Sequence, residues 1–187
     1  NQRINFFFSR ETNAFNYAIS QLSSTPSLLT SAQVSSLASQ LNSKGGKYVS
    51  AKIPYAYNYV DGNTTSLGHT NDSASNHGSH VAGIAAANRY IKQNGKFVDA
   101  PSNLFAVGVA PDAQILNMKV FGARGGAYDS DYMAAIEDAI ILKADSINLS
   151  LGSGYPGFTF SNGYQAVMDS LVESGSVVAM SAGNSYN

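Results

Sequence analysis

The chain has 187 residues, enough for one domain, or a large part of one, with a substantial core. Hydrophobic residues make up 44% and charged residues 12%, which argues against a disordered chain. The net charge of -1 gives no reason to expect nucleic acid or an anionic membrane surface as a partner, and no apolar run is long enough for a membrane span. The absence of cysteine excludes a cysteine nucleophile, a disulfide framework and a thiolate metal site within these residues.

The first part of the chain, residues 1–75, predicts two helices and then a loop. Apolar residues recur at helical spacing in two stretches, one beginning near Thr12 and one at Ser31. Residues 48–59 alternate and are rich in tyrosine, which favours extended structure. Residues 61–75 are polar and rich in Gly, Asn and Ser, which is typical of a loop.

A helix that carries a histidine in its first turn follows this loop. Ser75 or Asn76 can cap it, and His77 then lies at or just inside its N-terminus. The helix dipole disfavours the imidazolium there, so the ring stays neutral and able to accept a proton. A general base needs that state, although a histidine that merely packs at a helix end fits the same position.

A metal site is an alternative use of the same histidines. His80 lies one turn beyond His77, and His69 precedes both, so metal-dependent hydrolysis through these three side chains is the alternative function. Gly78 occupies the position of the glutamate in the His-Glu-x-x-His pattern, which argues against it.

The second half of the chain predicts strands and helices in alternation. A polar connection over residues 89–102 precedes a strand over residues 114–121, a helix capped by Ser130 and a strand over residues 146–151. A further helix, with Val167, Leu171 and Val172 in its apolar stripe, ends before Gly175 and leads to a strand over residues 176–180. This order predicts an α/β fold with a parallel sheet, whose binding residues collect at the carboxyl ends of the strands.

Four motifs follow one another along the second part of the chain. They are Asn76-His-Gly-Ser-His-Val-Ala-Gly83, Gly108-Val-Ala-Pro-Asp-Ala113 followed by Met118-Lys-Val120, Ile147-Asn-Leu-Ser-Leu-Gly152, and Val178-Ala-Met-Ser-Ala-Gly-Asn184. In these motifs and their order the chain resembles the subtilisin-like serine proteases, which implies a three-layer fold with a mainly parallel sheet flanked by helices. Residues 1–187 would form part of one catalytic domain, with residues 76–187 running from the histidine motif to the oxyanion asparagine.

The resemblance also implies a role for each motif. His77 would move the proton of a serine nucleophile, and Asn184 would donate to the oxyanion. Two segments would flank an extended substrate, and their residues are Ser150, Leu151 and Gly152 on one edge and Gly125, Gly126 and Ala127 on the other. Tyr128 would either border an outer pocket or pack at a helix start, and Lys119 would be structural.

Two motifs of the family are not found in these residues. The aspartate motif, Asp-(Thr or Ser)-Gly, does not occur in residues 1–76, and Glu11 lacks its context. Asp72 is close to His77 in sequence, but it lies in the predicted loop, which is a poor place to fix an imidazole. The serine motif, Gly-Thr-Ser, would follow Asn184. We expect both motifs outside the given residues, and we expect these residues alone to be inactive or nearly so.

The long tyrosine-rich approach to the histidine motif resembles the bacterial cell-envelope branch of the family, which includes lactocepin and the C5a peptidases. That resemblance implies a secreted or wall-attached endopeptidase acting on protein or peptide substrates, with no cofactor assigned and calcium conceivable in the parent protein. A non-catalytic subtilisin-like module for peptide binding or adhesion is the alternative. Exposed apolar surface would also favour self-association.

Overall fold

The computed structural model describes residues 12–65, 77–103, 105–122, 126–152 and 162–183. Its α-helices are α1 (Thr12–Ser20), α2 (Ser31–Leu37), α3 (His77–Ala86), α4 (Asp129–Ile141) and α5 (Asn162–Ser174). Its strands are β1 (Tyr55–Asn58), β2 (Tyr90–Gln93), β3 (Lys96–Asp99), β4 (Leu116–Lys119), β5 (Ser146–Leu149) and β6 (Val177–Met180), and a short 3-10 helix covers Pro101–Asn103.

The strands form three pairs. β1 and β4 are parallel, with Tyr55 opposite Leu116, and β5 and β6 are parallel, with Ser146 opposite Val177. β2 and β3 form an antiparallel hairpin. Parallel strands that alternate with helices confirm the predicted α/β class, here as part of a domain.

Helix α4 links two apolar clusters. The first cluster surrounds the β1–β4 pair, and its buried members are Val34, Leu41, Tyr55 and Leu142. The second lies beside the β5–β6 pair, and its buried members are Ile136, Val167 and Leu171. Ile136 lies in α4 and Leu142 directly follows it, so this helix fixes both parallel pairs. Burying one such aliphatic side chain contributes about 1.5–3 kcal/mol.

The start of α2 follows directly from its sequence. Thr30 is the N-cap, and its side chain accepts from the backbone N–H of Gln33 at 3.3 Å. The Gln33 side chain in turn accepts from the backbone N–H of Thr30 at 2.8 Å, which completes a capping box. The predicted helix start at Ser31 is therefore confirmed.

Two details of the later helices were predicted wrongly. Ser130 does not cap α4, because the helix begins at Asp129 and its N-cap is Tyr128, without a side-chain capping bond. Asp129 and Asp131 in the first turn favour that start through the helix dipole. Val172 is 81% exposed and not part of the α5 stripe, since it lies about 100° around the helix from Leu171.

The connection predicted over residues 89–102 is instead the β2–β3 hairpin. Its turn residues, Asn94 and Gly95, have φ values of 48° and 81°, the left-handed conformation that two-residue hairpin turns require. The ring of Tyr17 in α1 packs against Tyr90 and Phe97, with centroid distances of 5.0 and 4.8 Å. These aromatic contacts hold the hairpin against the first helix.

Candidate functional site

The histidine helix begins where the sequence predicts. His77 is the first residue of α3, and its side chain is exposed, as is that of His80. The proposed capping residues, Ser75 and Asn76, lie outside the described residues, as do His69 and Asp72.

The other end of α3 is capped by a distant segment of backbone. Three N–H groups donate to carbonyls at the end of the helix, from Gly108 to Ala87 at 3.0 Å, from Val109 to Ile84 at 2.9 Å and from Ala110 to Ala85 at 2.8 Å. The last carbonyls of a helix have no partner within it, so these bonds satisfy groups that would otherwise need water.

Position 108 accepts only glycine in this arrangement. A Cβ there would overlap the backbone nitrogens of Ala87 and Ala86 and the Cα of Ala86, which are atoms that cannot move without shifting α3. The family-like Gly-Val-Ala-Pro segment therefore docks directly on the histidine helix.

The carboxyl ends of β5 and β6 bring two predicted site segments together. Ser181 donates from its hydroxyl to the Leu151 carbonyl at 2.7 Å and from its backbone N–H to the Leu149 carbonyl at 3.2 Å. A Cβ on Gly152 would lie 3.6 Å from the Cα of Gly183. The predicted substrate segment, Ser150 to Gly152, thus lies beside the residues that lead to Asn184, which itself is outside the described residues.

The third predicted segment follows β4. The Gly126 carbonyl accepts from the Gly122 N–H at 3.1 Å, and Ala127 is half-buried before α4, whereas Gly125 lies outside the described residues. Tyr128 is 77% exposed, which favours the border of an outer pocket over packing at the helix start.

The Lys119 ammonium donates to the Phe121 carbonyl two residues later. This local bond fits the structural role that the sequence predicted for Lys119.

A buried carboxylate that sequence reasoning missed joins the N-terminal region to α4. Asp138 is fully buried and accepts from the backbone N–H groups of Asn42 at 2.6 Å and Ser43 at 3.1 Å. The hydroxyls of Tyr59 and Tyr55 also donate to it, at 2.8 and 3.3 Å.

This carboxylate is therefore committed to holding structure and not to orienting an imidazole. Burial raises the pKa of Tyr55 to about 12 and also raises the pKa of Tyr59, so both hydroxyls keep their protons for these bonds. Two features of the sequence could have indicated this site, namely an aspartate beside the apolar stripe of α4 and a group of closely spaced tyrosines much earlier in the chain.

A buried lysine was also missed. Lys52 is 2% exposed, and its ammonium donates to the carbonyls of Pro111 at 2.7 Å and Ala113 at 2.6 Å. The Phe15 ring of α1 lies 4.9 Å from the ammonium. Burial lowers the pKa of Lys52 to about 8, and the nearby carboxylate of Asp112 acts in the opposite direction.

Among the residues that the structure describes, no group of three or more His, Cys, Asp or Glu side chains could hold a metal ion. None of the described helices combines the length and the apolar character needed to cross a membrane.

Known proteins resemble much of this chain. It is 41% identical over 147 residues to the PI-type proteinase of Lactococcus lactis subsp. cremoris, a match that covers 76% of this chain and 7% of that protein. It is 33% identical over 133 residues to the minor extracellular protease Vpr of Bacillus subtilis (strain 168), covering 69% of this chain and 14% of the relative. It is 40% identical over 111 residues to subtilisin E of the same strain, covering 59% and 25%.

The chain thus spans a small part of the length of each relative. Residues 30–187 match the Subtilase family, and the chain belongs to that family.

Proposed function

We propose that the protein containing this chain is a serine endopeptidase that hydrolyses peptide bonds through a Ser-His-Asp triad. The observation that carries the proposal is the contact of Ser150–Gly152 with Ser181–Gly183 just beyond the ends of two parallel strands, in a chain of the subtilase family. In this proposal the chain contributes the histidine, the oxyanion donor and two substrate-binding segments.

His77 would act as the proton shuttle. It would take the proton from the serine hydroxyl as that oxygen attacks the peptide carbonyl, and then deliver it to the leaving amine. Its exposed position at the start of α3 supports this role, because a proton shuttle must reach both the nucleophile and the substrate.

Asn184 would donate its side-chain N–H to the oxyanion of the tetrahedral intermediate. The hydrogen bond from Ser181 to Leu151 supports this assignment, since it fixes the start of the segment that leads to Asn184. Loss of one such donor lowers turnover by about 10²- to 10³-fold in enzymes of this kind.

The substrate would bind as an extended strand between Ser150–Gly152 and Gly125–Ala127. Backbone groups would provide the hydrogen bonds and side-chain pockets the selectivity. Gly152 suits this use, because the exposed backbone of a glycine can be approached closely by another chain.

These 187 residues alone would not hydrolyse peptides efficiently. They contain neither the aspartate motif nor the serine motif of the family, and the buried Asp138 is engaged elsewhere. A protease assay of the isolated chain should give no turnover above background, and robust turnover would contradict the triad assignment.

The test of the mechanism is a matched pair of variants in the full-length protein. His77→Ala should lower kcat by at least about 10⁴-fold, whereas His80→Ala, one turn further along the same helix, should keep activity within about tenfold. Comparable losses in both variants, together with loss of activity in a chelator, would instead support the metal-dependent reading.

We further propose a secreted or cell-surface location in a bacterium. The family membership and the extracellular protease among the similar proteins support it. Fractionation of the source cells should recover the full-length protein from the medium or the envelope. Recovery from the cytosol would contradict the location without affecting the mechanism.

The isolated chain would also self-associate. Apolar side chains of α5 and β6 are exposed, with Val172 of the helix at 81% and Val177 and Met180 of the strand at 68% and 52%. Exposed apolar strand residues favour contacts between copies. Sedimentation velocity should therefore detect oligomers that increase with concentration, and a monomer at millimolar concentration would contradict this.

A further inference from the structure

Burial alone holds the histidine helix only weakly. Helix α3 has ten residues, and Ala86 is its buried residue. Two of its positions, Gly78 and Gly83, are glycines, which lower helix stability. Isolated helices of this length are marginal in water, so α3 depends on contacts made by the rest of the chain.

Three backbone hydrogen bonds from residues 108–110 connect the end of α3 to the rest of the chain. The last turn of α3 contains no basic side chain that could offset the helix dipole. Residues 108–110 therefore supply the donors at that end, and their own position decides where the helix lies.

The turn that follows, residues 111–113, is held by residues of the N-terminal region. The Lys52 ammonium bonds to two of its carbonyls, and the Lys52 carbonyl accepts from the Ile115 N–H at 2.8 Å. The Gln114 side chain adds bonds to the backbone of Leu29 and Ala51, at 2.6 to 3.0 Å. We name residues 108–113 with Lys52 the lysine clamp.

We propose that Lys52 is a positioning residue for His77, acting through the lysine clamp on helix α3. Because a ten-residue helix is a rod of about 15 Å, fixing its last turn restricts where its first residue can lie. Only the last step, from the helix to catalysis, rests on the proposed proteolytic function.

The first experiment measures hydrogen exchange in the 187-residue chain. Lys52→Met removes both donors to the turn, so the amides of Gly108, Val109 and Ala110 should exchange at least about tenfold faster. The amide of Val177, bonded to the Asp145 carbonyl at 3.0 Å, reports the remote β5–β6 pair and should be unchanged.

The control is Lys47→Met, which alters an exposed lysine five residues earlier and should leave both regions unchanged. The proposal is overturned if Lys52→Met leaves residues 108–110 unchanged, or if it accelerates exchange equally at Val177, because a general loss of stability is not positioning.

If Lys52→Met does not fold, a second pair of variants decides. Gly108→Ala pushes the clamp off α3, whereas no described atom lies within 4 Å of a Cβ at Gly83. Gly108→Ala should shift the NMR resonance of the Lys52 ammonium, and Gly83→Ala should not. Equal behaviour of the two variants would refute the coupling.

The last readout is the kinetics of the full-length protein. Lys52→Met should lower kcat by about tenfold and leave KM within about threefold, because the described hydrogen bonds of the clamp lead to the histidine helix. A rise in KM with unchanged kcat would overturn the positioning role. A wild-type protein without proteolytic activity would refute the proposed function, while the exchange result would still stand.

Discussion

Replacing Asp138 with leucine tests how much the buried carboxylate contributes to stability. The substitution keeps a side chain of similar shape but removes every acceptor, so the N–H groups of Asn42 and Ser43 lose their described partners. The Tyr55 and Tyr59 hydroxyls still bond to each other, at 2.9 Å, and Tyr55 still bonds to Ser43. Two orphaned backbone donors, at about 1–3 kcal/mol each, give an expected loss of about 4 kcal/mol.

Urea denaturation of the isolated chain, followed by far-ultraviolet circular dichroism, measures this loss. The matched control is Glu137→Gln, the neighbouring residue of α4, which accepts from the exposed Asn42 side chain at 2.8 Å. It should cost less than about 0.5 kcal/mol, because the bond is on the surface. A loss below about 1 kcal/mol for Asp138→Leu would refute the view that these donors depend on the carboxylate.

Three further results follow from the buried groups and close contacts. Burial lowers the pKa of Lys52 to about 8, so the unfolded chain binds more protons than the folded chain between pH 8 and the ordinary pKa of lysine. The free energy of unfolding should therefore rise with pH by about 3 kcal/mol across that window. Lys52→Met should abolish this rise in denaturation experiments at a series of pH values. Burial raises the pKa of Tyr55 to about 12, so its protonated hydroxyl stabilises the fold below pH 10. This stabilisation should be lost as the pH rises from 10 to 12, as measured by unfolding experiments together with a titration of tyrosine absorbance. Gly46→Ala places a Cβ into the buried ring of Tyr55 and should cost about 1–3 kcal/mol in urea, whereas Gly163→Ala, with no described atom within 4 Å, should cost nothing.

The elements that the sequence predicted well are those with a long apolar stripe. Helices α1, α4 and α5 each carry such a stripe. The predicted start of α1 at Thr12 and the predicted end of α5 before Gly175 are confirmed, whereas α4 begins at Asp129 and not after Ser130. The hairpin was missed because its strands are four residues long and contain exposed lysines, which hid the Asn94-Gly95 turn signal. Its packing on Tyr17 is a tertiary contact that no local pattern contains.

The residues of the candidate site also differ in how well the sequence predicts them. The position of His77 at the start of a helix could be predicted, because capping residues and the small residues that follow are local signals. The burial of Lys52 and Asp138 could not, since their partners lie 59 and 96 residues away in the sequence. Charged residues are usually exposed, so a prediction from local sequence places both on the surface.

Burying an ion is costly, and a buried ionic group is weak evidence for stability. Lys52 illustrates this, because its lowered pKa means that burial favours the neutral form more than water does, even though two carbonyls accept from the ammonium. At neutral pH its replacement by methionine therefore relieves a desolvation cost while it releases the turn, and the two effects oppose each other in the free energy of unfolding. Asp138 differs, because backbone and hydroxyl donors surround it. At neutral pH, local hydrogen exchange therefore measures what the lysine clamp does better than the free energy of unfolding, whose dependence on pH reports the burial of the charge.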